Sequence, residues 1–395
     1  MRIAGETNPS IVEVAENNGR WTYTDLNFAT QEGPSSPDRT PWRQVAPLPS
    51  ARSGLAAVAG DGDGRQVYYQ DLTGSVTALT PAAAAFTDRA ESRVFTAAID
   101  APVAAGVSTL ATTAGRGLQV YYLDREHRPV ALAESAAGAW EYLPCAQGPP
   151  ASAVGQLAAT STGRDRQIYY LDARGHLIEA SWVNTAGELW SITDLTAELL
   201  APLPAVVSPL TAVHDGADLR RVYYLDTESR LVELAYSIRP PDKRNPEGSA
   251  RWEVTDLSAW AGAPTAAAAG PMAAALGGDG RPHVYYRDGG GGLIDMVWRG
   301  SGWEPSCPTE SADRGAAAPV AAATSALAVT LSESAESSHL FYVDPRQRLI
   351  HLYRNGREWW SADLSTEAGL PAVAHSSPLA AICSTGPRVY YLSEE

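Results

Sequence analysis

The segment Arg221-Val222-Tyr223-Tyr224-Leu225-Asp226, followed by Leu231-Val232-Glu233, decides the fold of this chain. A run of valine, tyrosine and leucine is typical of a β-strand, because β-branched and aromatic side chains fit a pleated surface. The polar residues from Asp226 to Arg230 supply a turn. The segment therefore predicts a strand, a turn and a second strand.

The same segment recurs along the chain. Seven copies share an aliphatic residue followed by two aromatic residues: Val67-Tyr68-Tyr69, Val120-Tyr121-Tyr122, Ile168-Tyr169-Tyr170, Val222-Tyr223-Tyr224, Val284-Tyr285-Tyr286, Leu340-Phe341-Tyr342 and Val389-Tyr390-Tyr391. Six intervals separate Tyr68 from Tyr390, so the mean period is about 54 residues. A repeat of this length is typical of solenoids, arrays and propellers.

The two ends of the chain carry complementary halves of one repeat. Residues 10–26 contain Ile11-Val12-Glu13, which matches the third strand of a repeat, and Trp21, which matches the start of the fourth. Residues 378–395 stop just after a second strand. Together the termini predict one closing blade, which leaves no sheet edge open. We therefore predict an all-β fold in which residues 1–395 form a single β-propeller domain of seven four-stranded blades, with six blades as the alternative.

Each repeat divides into four predicted strands. The first is small and apolar, as in residues 209–213, which suits a crowded position around the axis. The second carries the paired aromatic residues, and the third reads Leu-x-Glu-Leu. The fourth begins with tryptophan in the pattern Trp-x-x-x-Asp-Leu, which occurs at Trp21, Trp190, Trp252 and Trp359.

Composition argues against several classes of partner. The 45 acidic and 30 basic residues give a net charge of −15, which disfavours nucleic acid and anionic membranes. Cys145, Cys307 and Cys383 have the spacing of neither a disulfide framework nor a zinc site, and we predict no metal and no cofactor. The first residues lack the apolar run that is typical of a signal peptide, and no apolar stretch is long enough to predict a transmembrane helix. We expect a soluble cytoplasmic protein; secretion after removal of a leader peptide is the alternative.

At Arg221, Glu233 and the tryptophan that follows, the sequence resembles the fungal fucose-binding lectins of the Aleuria type. The resemblance extends through the repeats over essentially the whole chain, although those lectins have six blades and seven copies are present here. It implies a sugar site between neighbouring blades. In such a site an arginine and a glutamate bind the sugar hydroxyls, and aromatic side chains of the next blade stack on the apolar face of the ring.

Carried over position by position, the resemblance implies one complete ligand site and two partial ones. The complete site comprises Arg221, Glu233, Trp298 and Trp303. The second site lies in the closing blade, which keeps Arg388 and Glu13 but has Leu79 and Thr80 where an aromatic residue is needed. The third site has glutamine in place of arginine and comprises Gln167, Glu179, Tyr236 and Trp252.

The other four repeats lack the arginine and glutamate pair. The residues at these two positions are Gln66 with Ala78, Gln119 with Leu132, His283 with Asp295, and His339 with His351. Lectins that engage a glycan surface depend on several weak sites acting together. The loss of most sites therefore weakens the expectation of a multivalent lectin.

Two functions from different classes remain. The propeller also resembles the scaffold of fungal hetero-Diels–Alderases of tropolone sesquiterpenoid biosynthesis, which implies a cofactor-free pericyclic cyclase in secondary metabolism. Such an enzyme would hold polyketide and terpenoid substrates in a shaped pocket and donate a hydrogen bond to a carbonyl oxygen. His214 and Ser161, at the ends of two innermost strands, are candidates for a polar lining of the central funnel. The catalytic residues stay unidentified.

We favour the cyclase, because a working multivalent lectin is not expected to lose four sites. The alternative is a low-valency lectin for fucosylated glycans whose best site is Arg221, Glu233 and Trp298. Neither the ligand nor the oligomeric state follows from the sequence, although a dimer is compatible with it.

Overall fold

Seven four-stranded antiparallel sheets follow one another along the chain in the computed structural model. The structure describes residues 9–29, 43–44, 46–59, 64–81, 91–106, 108–114, 117–135, 138–145, 148–154, 156–161, 165–183, 190–214, 219–239, 249–277, 279–312, 317–331, 337–356 and 358–394.

The N-terminal part of the chain supplies two strands to the closing blade and a short hairpin: β1 (Ile11–Asn17), β2 (Arg20–Asp25), β3 (Phe28–Ala29) and β4 (Arg43–Gln44). Blade 1 contains β5 (Leu55–Ala59), β6 (Arg65–Gln70), β7 (Val76–Thr80) and β8 (Glu91–Val94), followed by α1 (Phe95–Ala98). Blade 2 contains β9 (Ala111–Ala114), β10 (Leu118–Leu123), β11 (Pro129–Glu134) and β12 (Trp140–Pro144).

Blade 3 contains β13 (Leu157–Ser161), β14 (Asp165–Leu171), β15 (Leu177–Val183) and β16 (Trp190–Asp194), followed by α2 (Leu195–Leu199). Blade 4 contains β17 (Leu210–His214), β18 (Leu219–Leu225), β19 (Leu231–Arg239) and β20 (Ser249–Asp256), followed by α3 (Leu257–Ala261). Blade 5 contains β21 (Met272–Leu276), β22 (Pro282–Arg287), β23 (Leu293–Trp298) and β24 (Trp303–Ser306), followed by α4 (Pro308–Ser311).

Blade 6 contains β25 (Leu327–Leu331), β26 (Ser337–Val343), β27 (Leu349–Asn355) and β28 (Glu358–Asp363), followed by α5 (Leu364–Glu367). Blade 7 begins with the last two strands, β29 (Leu379–Cys383) and β30 (Pro387–Leu392). None of the five short helices in the described ranges has the length or apolar character needed to span a membrane.

Both chain termini contribute to blade 7, which closes the propeller. Its strand order is β29, β30, β1, β2, and Glu13 of β1 lies opposite Tyr390 of β30. The first strands of the seven blades contact their neighbours in an unbroken ring, from β5 through β29 and back to β5. The predicted seven-bladed propeller and its shared closing blade are thereby confirmed, and the six-bladed alternative is wrong.

The two aromatic residues of each second strand are buried in two different interfaces between blades. Successive side chains of a strand point to opposite faces of the sheet. Tyr223 packs into the core between blades 4 and 5, whereas Tyr224 packs into the core between blades 3 and 4. Both side chains are completely buried. Seven such cores, one at each blade interface, explain why the aromatic pair recurs while its neighbours vary.

In six of the seven blades an aspartate follows the aromatic strand and fixes the next turn. Asp226 Oδ1, for example, accepts hydrogen bonds from the backbone N–H groups of Glu228 and Arg230, both at 2.9 Å. Aspartate side chains favour turns through such local bonds to the backbone. The hydroxyl of Tyr224 donates to the carbonyl oxygen of Pro202 at 2.7 Å, so the loop that enters blade 4 is tied to the same strand.

The Asp-Leu end of the fourth-strand pattern begins a short helix in three blades. Asp194 Oδ1 accepts from the backbone N–H of Ala197 at 2.9 Å, and Asp256 and Asp363 cap α3 and α5 in the same way. Asparagine, aspartate and serine are favoured at this capping position for that reason. The leucine after each aspartate is fully buried and anchors the helix against the blade, as Leu195 does.

Candidate functional site

Two neighbouring residues at the start of β18 face different clefts between blades. Strand alternation directs Arg221 towards blade 5 and Arg220 towards blade 3. Arg221 pairs with Glu233 of its own blade, and Arg220 pairs with Glu179 of blade 3. Each cleft can therefore receive a carboxylate from one blade and an arginine from either of the two blades that form it.

In the cleft between blades 3 and 4, here called the 3/4 cleft, the centre is a buried ion pair. Arg220 Nε lies 3.0 Å from Glu179 Oε1, and Arg220 Nη2 donates to Glu179 Oε2 at 3.3 Å. The hydroxyl of Tyr169 donates to Glu179 Oε1 at 3.0 Å. Only 3% of Glu179 is exposed, so its carboxylate is held firmly at the base of the cleft.

Burial governs the ionisation of these groups. It raises the pKa of Glu179, although Arg220 and the hydrogen bond from Tyr169 act in the opposite direction. Burial also holds the pKa of Tyr169 well above its ordinary value. The Tyr169 hydroxyl therefore keeps its proton at neutral pH and acts as a hydrogen-bond donor, and Glu179 takes up a proton at a higher pH than an exposed glutamate does.

Two aromatic rings form the wall of the 3/4 cleft on the side of blade 4. The guanidinium carbon of Arg220 lies 3.9 Å from the ring centroid of Tyr236 and 5.3 Å from that of Trp252. The two ring centroids are 5.3 Å apart. Cation–π contacts of this kind orient a guanidinium group and leave its remaining N–H groups available to a ligand.

The 3/4 cleft is open and mainly polar, with a volume of about 460 Å³. Besides the ion pair and the two rings, its lining includes hydroxyl groups and further charged side chains: Ser181, Ser191, Thr193, Glu198 and Arg251. This arrangement can bind a small polar molecule that has many hydroxyl groups and one apolar face.

Gln167, which the resemblance placed in this site, lies behind the cleft wall. It is almost fully buried, accepts a hydrogen bond from Thr160 at 3.1 Å and donates one to Ser181 Oγ at 3.5 Å. The structure thus brings Glu179, Tyr236 and Trp252 together in one cleft but leaves Gln167 to support Ser181.

The cleft between blades 4 and 5, the 4/5 cleft, contains the site for which the lectin resemblance implied a complete set of residues. Arg221 Nη1 forms a short ion pair with Glu233, which also accepts a hydrogen bond from Tyr223 at 3.2 Å. The guanidinium carbon of Arg221 lies 5.8 Å from the ring centroid of Trp298. Trp303 is buried in the core beneath Trp298, so it supports this wall without presenting a face to the cleft.

Glu13 and Arg388 of the closing blade meet inside a closed cluster. Glu13 Oε1 lies 2.8 Å from Arg65 Nε of blade 1 and 3.5 Å from Arg388 Nη1, and it accepts a hydrogen bond from the Tyr390 hydroxyl at 2.9 Å. All three charged residues are at least nine-tenths buried. The cluster joins the two chain termini to blade 1, and this geometry leaves the carboxylate little capacity for a ligand.

The clefts on either side of blade 6 have other chemistry. Asp295 is 3.0 Å from His283 and 3.7 Å from Arg354, which occupies the position of the aromatic wall residue. In the next cleft His339 Nδ1 lies 3.0 Å from His351 Nε2. Within the described residues, no group of three or more histidine, cysteine, aspartate or glutamate side chains could hold a metal ion.

In blade 2 the assignment of Leu132 to the carboxylate position is wrong. Ala131 lies opposite Tyr121, as Ala78 lies opposite Tyr68 in blade 1. A shift of one residue along a strand moves a side chain to the other face of the sheet. The position still lacks a carboxylate, so the chemistry expected of this cleft is unchanged.

Arg220 is the principal residue that sequence reasoning missed. The lectin resemblance points to the residue two before the first tyrosine of the strand, whereas Arg220 stands three before it. The Arg220-Arg221 pair together with strand alternation could have placed one arginine in each neighbouring cleft. Arg65 also stands three before the first tyrosine of its strand, and it pairs with Glu13 of the neighbouring blade.

His214 and Ser161 stand at the last residues of the innermost strands β17 and β13, and both are partly exposed. They lie opposite Arg220 and Arg166 on the adjacent second strands. Their proposed catalytic role stays a prediction.

No protein-family model matches the chain, and no curated protein matches it. Solved structures of lectins do. The BP39L lectin from Burkholderia pseudomallei has 15% identity and a TM-score of 0.58, over 90% of this chain and 94% of that chain. The Aleuria aurantia lectin, described as a six-bladed β-propeller with a novel fucose recognition mode, has 19% identity and a TM-score of 0.52, over 79% of this chain and 95% of that chain.

A third lectin structure, AofleA from Arthrobotrys oligospora, has 16% identity and a TM-score of 0.52, over 79% of this chain and 86% of that chain. The predicted similarity to the Aleuria lectin is confirmed at the level of fold. Identities this low extend the similarity no further than the propeller architecture.

Proposed function

We propose that the protein binds carbohydrate in the clefts between its blades, with the 3/4 cleft as the principal site. The observation that carries this proposal is the combination of Glu179, Arg220, Tyr236 and Trp252 around one open polar cleft. Glu179 and Arg220 supply charged hydrogen-bonding groups, and Trp252 supplies an aromatic surface.

The chemistry of a monosaccharide matches these groups. Its hydroxyls form charge-assisted hydrogen bonds with a carboxylate and a guanidinium group, which are stronger than bonds between neutral partners. One side of the sugar ring presents C–H groups that pack against an aromatic face. Because Glu179 and Arg220 already hold each other in place, little ordering is needed when a sugar binds.

The 4/5 cleft is the second candidate, since it also combines an arginine, a glutamate and a tryptophan. Two sites on adjacent blades would give a lectin of low valency, with less gain from multivalent attachment than seven sites would provide. Fucose is the first sugar to test, because the Aleuria aurantia lectin is described as recognising it.

The cyclase activity stays a prediction that no observation favours. A pericyclic cyclase needs a shaped apolar pocket that holds two reactants close together. The 3/4 cleft is lined instead by two arginines, two glutamates and three hydroxyl side chains. Its geometry supports the binding of a hydrophilic ligand.

Isothermal titration calorimetry with methyl α-L-fucoside and a panel of neutral monosaccharides tests this proposal. Trp252→Ala is expected to weaken binding by about tenfold or more, because it removes the stacking surface. Trp298→Ala should weaken only the sugar binding that takes place in the 4/5 cleft. Tyr23, which is 45% exposed and belongs to blade 7, away from both clefts, provides the control variant Tyr23→Ala.

Binding that is equal in the wild type, Trp252→Ala and Trp298→Ala would exclude both clefts. The absence of binding by any sugar in the panel at millimolar concentration would contradict the carbohydrate proposal itself. Circular dichroism spectra of the variants, matched to the wild type, would show that the blades remain folded.

A further inference from the structure

A second cavity, with a volume of about 340 Å³, lies where the loops that enter blades 1, 2 and 3 meet the turn between β10 and β11. Its lining consists of Arg52, Ala105, Gly106, Arg125, His127 and Ala153. Three of these side chains are basic and none is acidic, although the protein carries a net charge of −15.

The two arginines are not engaged elsewhere in the part of the chain that the structure describes. Neither Arg52 nor Arg125 forms a salt bridge there, and both side chains are exposed. Most other arginines on the turns between second and third strands do pair, as Arg230 does with Asp226 and Arg348 does with Asp344. The free guanidinium groups at this cavity are thus available to a ligand.

His127 is the most informative residue of the cavity. Its backbone has φ +59°, the left-handed conformation that this turn position also adopts in five other blades, where the residue is Gly74, Gly175, Ser229, Gly291 or Gln347. Its Nδ1 atom is buried and has no hydrogen-bond partner among the described residues.

The other blades do not repeat the basic lining. The positions equivalent to Arg125, one residue after the turn aspartate, hold uncharged side chains: Leu72, Ala173, Thr227, Gly289 and Pro345. Those equivalent to Arg52 in blades 3 to 7 are also uncharged: Val154, Val207, Ala269, Thr324 and Ser376. The cluster is therefore specific to one interface and does not follow from the repeat.

From this cavity we infer an oxyanion-binding site that takes a phosphate or sulfate group. Guanidinium groups present paired N–H donors in a planar fork that matches the oxygens of such groups. Arg52 and Arg125 come from different blades, so a bound anion would bridge blades 1 and 2. His127 lines the same cavity. This site is separate from the 3/4 cleft and does not depend on the function proposed for it.

Calorimetry and thermal unfolding with inorganic sulfate, inorganic phosphate and galactose 6-sulfate test this inference, at an ionic strength held constant with chloride. The wild type should show saturable binding and a rise in melting temperature with at least one of the three. The Arg52→Gln/Arg125→Gln double variant should lose the saturable part. His127→Asn, which keeps a residue that tolerates the left-handed conformation, should weaken binding.

Arg299→Gln is the matched control, because it removes one exposed arginine, paired with Glu304, from blade 5. Preference for galactose 6-sulfate over sulfate, with no binding of galactose, would identify a sulfated saccharide as the ligand; preference for the inorganic ions would identify a free anion. Equal stabilisation of the wild type and the double variant, or a linear effect without saturation, would overturn the inference.

Discussion

Glu13→Gln is expected to lower the free energy of unfolding by about 3–5 kcal/mol, because it removes the shared counter-charge of two buried arginines. Arg65 and Arg388 are 5% and 8% exposed, so water cannot replace the lost carboxylate. The two arginines and Glu13 come from blade 1 and from both strands that close the ring. The loss should therefore act on closure of the propeller as well as on one contact.

Urea denaturation followed by tryptophan fluorescence measures this effect. Glu253→Gln is the control, because Glu253 pairs with Arg251 on the surface, where both side chains are about half exposed. Such a surface pair is worth about 0–1 kcal/mol. If Glu13→Gln and Glu253→Gln unfolded at the same urea concentration as the wild type, the closing cluster would not have the structural role assigned to it.

Acid should destabilise the protein through the histidine pair between blades 6 and 7. Burial lowers the pKa of His339 to about 4 and holds the pKa of His351 well below its ordinary value, with the neighbouring His339 adding to the second effect. An unfolded histidine has a pKa of about 6.5, so the unfolded chain binds more protons than the folded chain between that pH and about 4. Stability is then fully present above pH 6.5 and is lost as the pH falls.

The size of this loss follows from His339 alone. At about 1.4 kcal/mol for each pKa unit, the unfolding free energy should fall by about 3 kcal/mol between pH 7 and pH 4. The matched variant is His339→Gln, because glutamine occupies the same position in blades 1, 2 and 3: Gln66, Gln119 and Gln167. It keeps a polar partner for His351 and removes one titrating group.

Denaturation curves of both proteins at pH 7, 5.5 and 4 should show a smaller loss for His339→Gln than for the wild type. The carboxylates are the same in both proteins, so their contribution to the loss of stability cancels in the difference between the two. Parallel losses in the two proteins would contradict a low pKa for His339.

The fold could be predicted because its determinants are local and repeated. The aromatic pair is fully buried in six blades as two tyrosines, and in blade 6 as Phe341 and Tyr342. The two side chains pack into the cores on opposite sides of the blade. Because both cores are close-packed, few other residues fit at these positions. The aspartates that fix turns and cap helices are also visible in the sequence, although their capping role emerged only from the hydrogen bonds of residues such as Asp194.

The candidate site was harder to predict because it is built from two blades. Glu179 was recognised from its own repeat, but its arginine comes from the next blade, 41 residues along the chain. A comparison of repeats aligns equivalent positions and does not show which of them meet across an interface. The closed environment of Glu13 was hidden for the same reason, since Arg65 belongs to another blade.

Burial also separates residues that look equivalent in sequence. Trp298 and Trp303 were both assigned to the 4/5 cleft, yet Trp303 is only 5% exposed and packs edge-on against Tyr223. Gln167 was assigned to a sugar site and instead supports Ser181. These distinctions depend on how two blades pack, and no single repeat contains that information.

The most direct test of carbohydrate binding is a crystal structure of the protein soaked with the tightest-binding sugar of the panel. We expect a sugar ring in the 3/4 cleft, with hydroxyls bound by Glu179 and Arg220 and with its apolar face against Trp252. A sugar bound outside the 3/4 and 4/5 clefts, or both clefts empty at a saturating concentration, would contradict carbohydrate binding in these clefts.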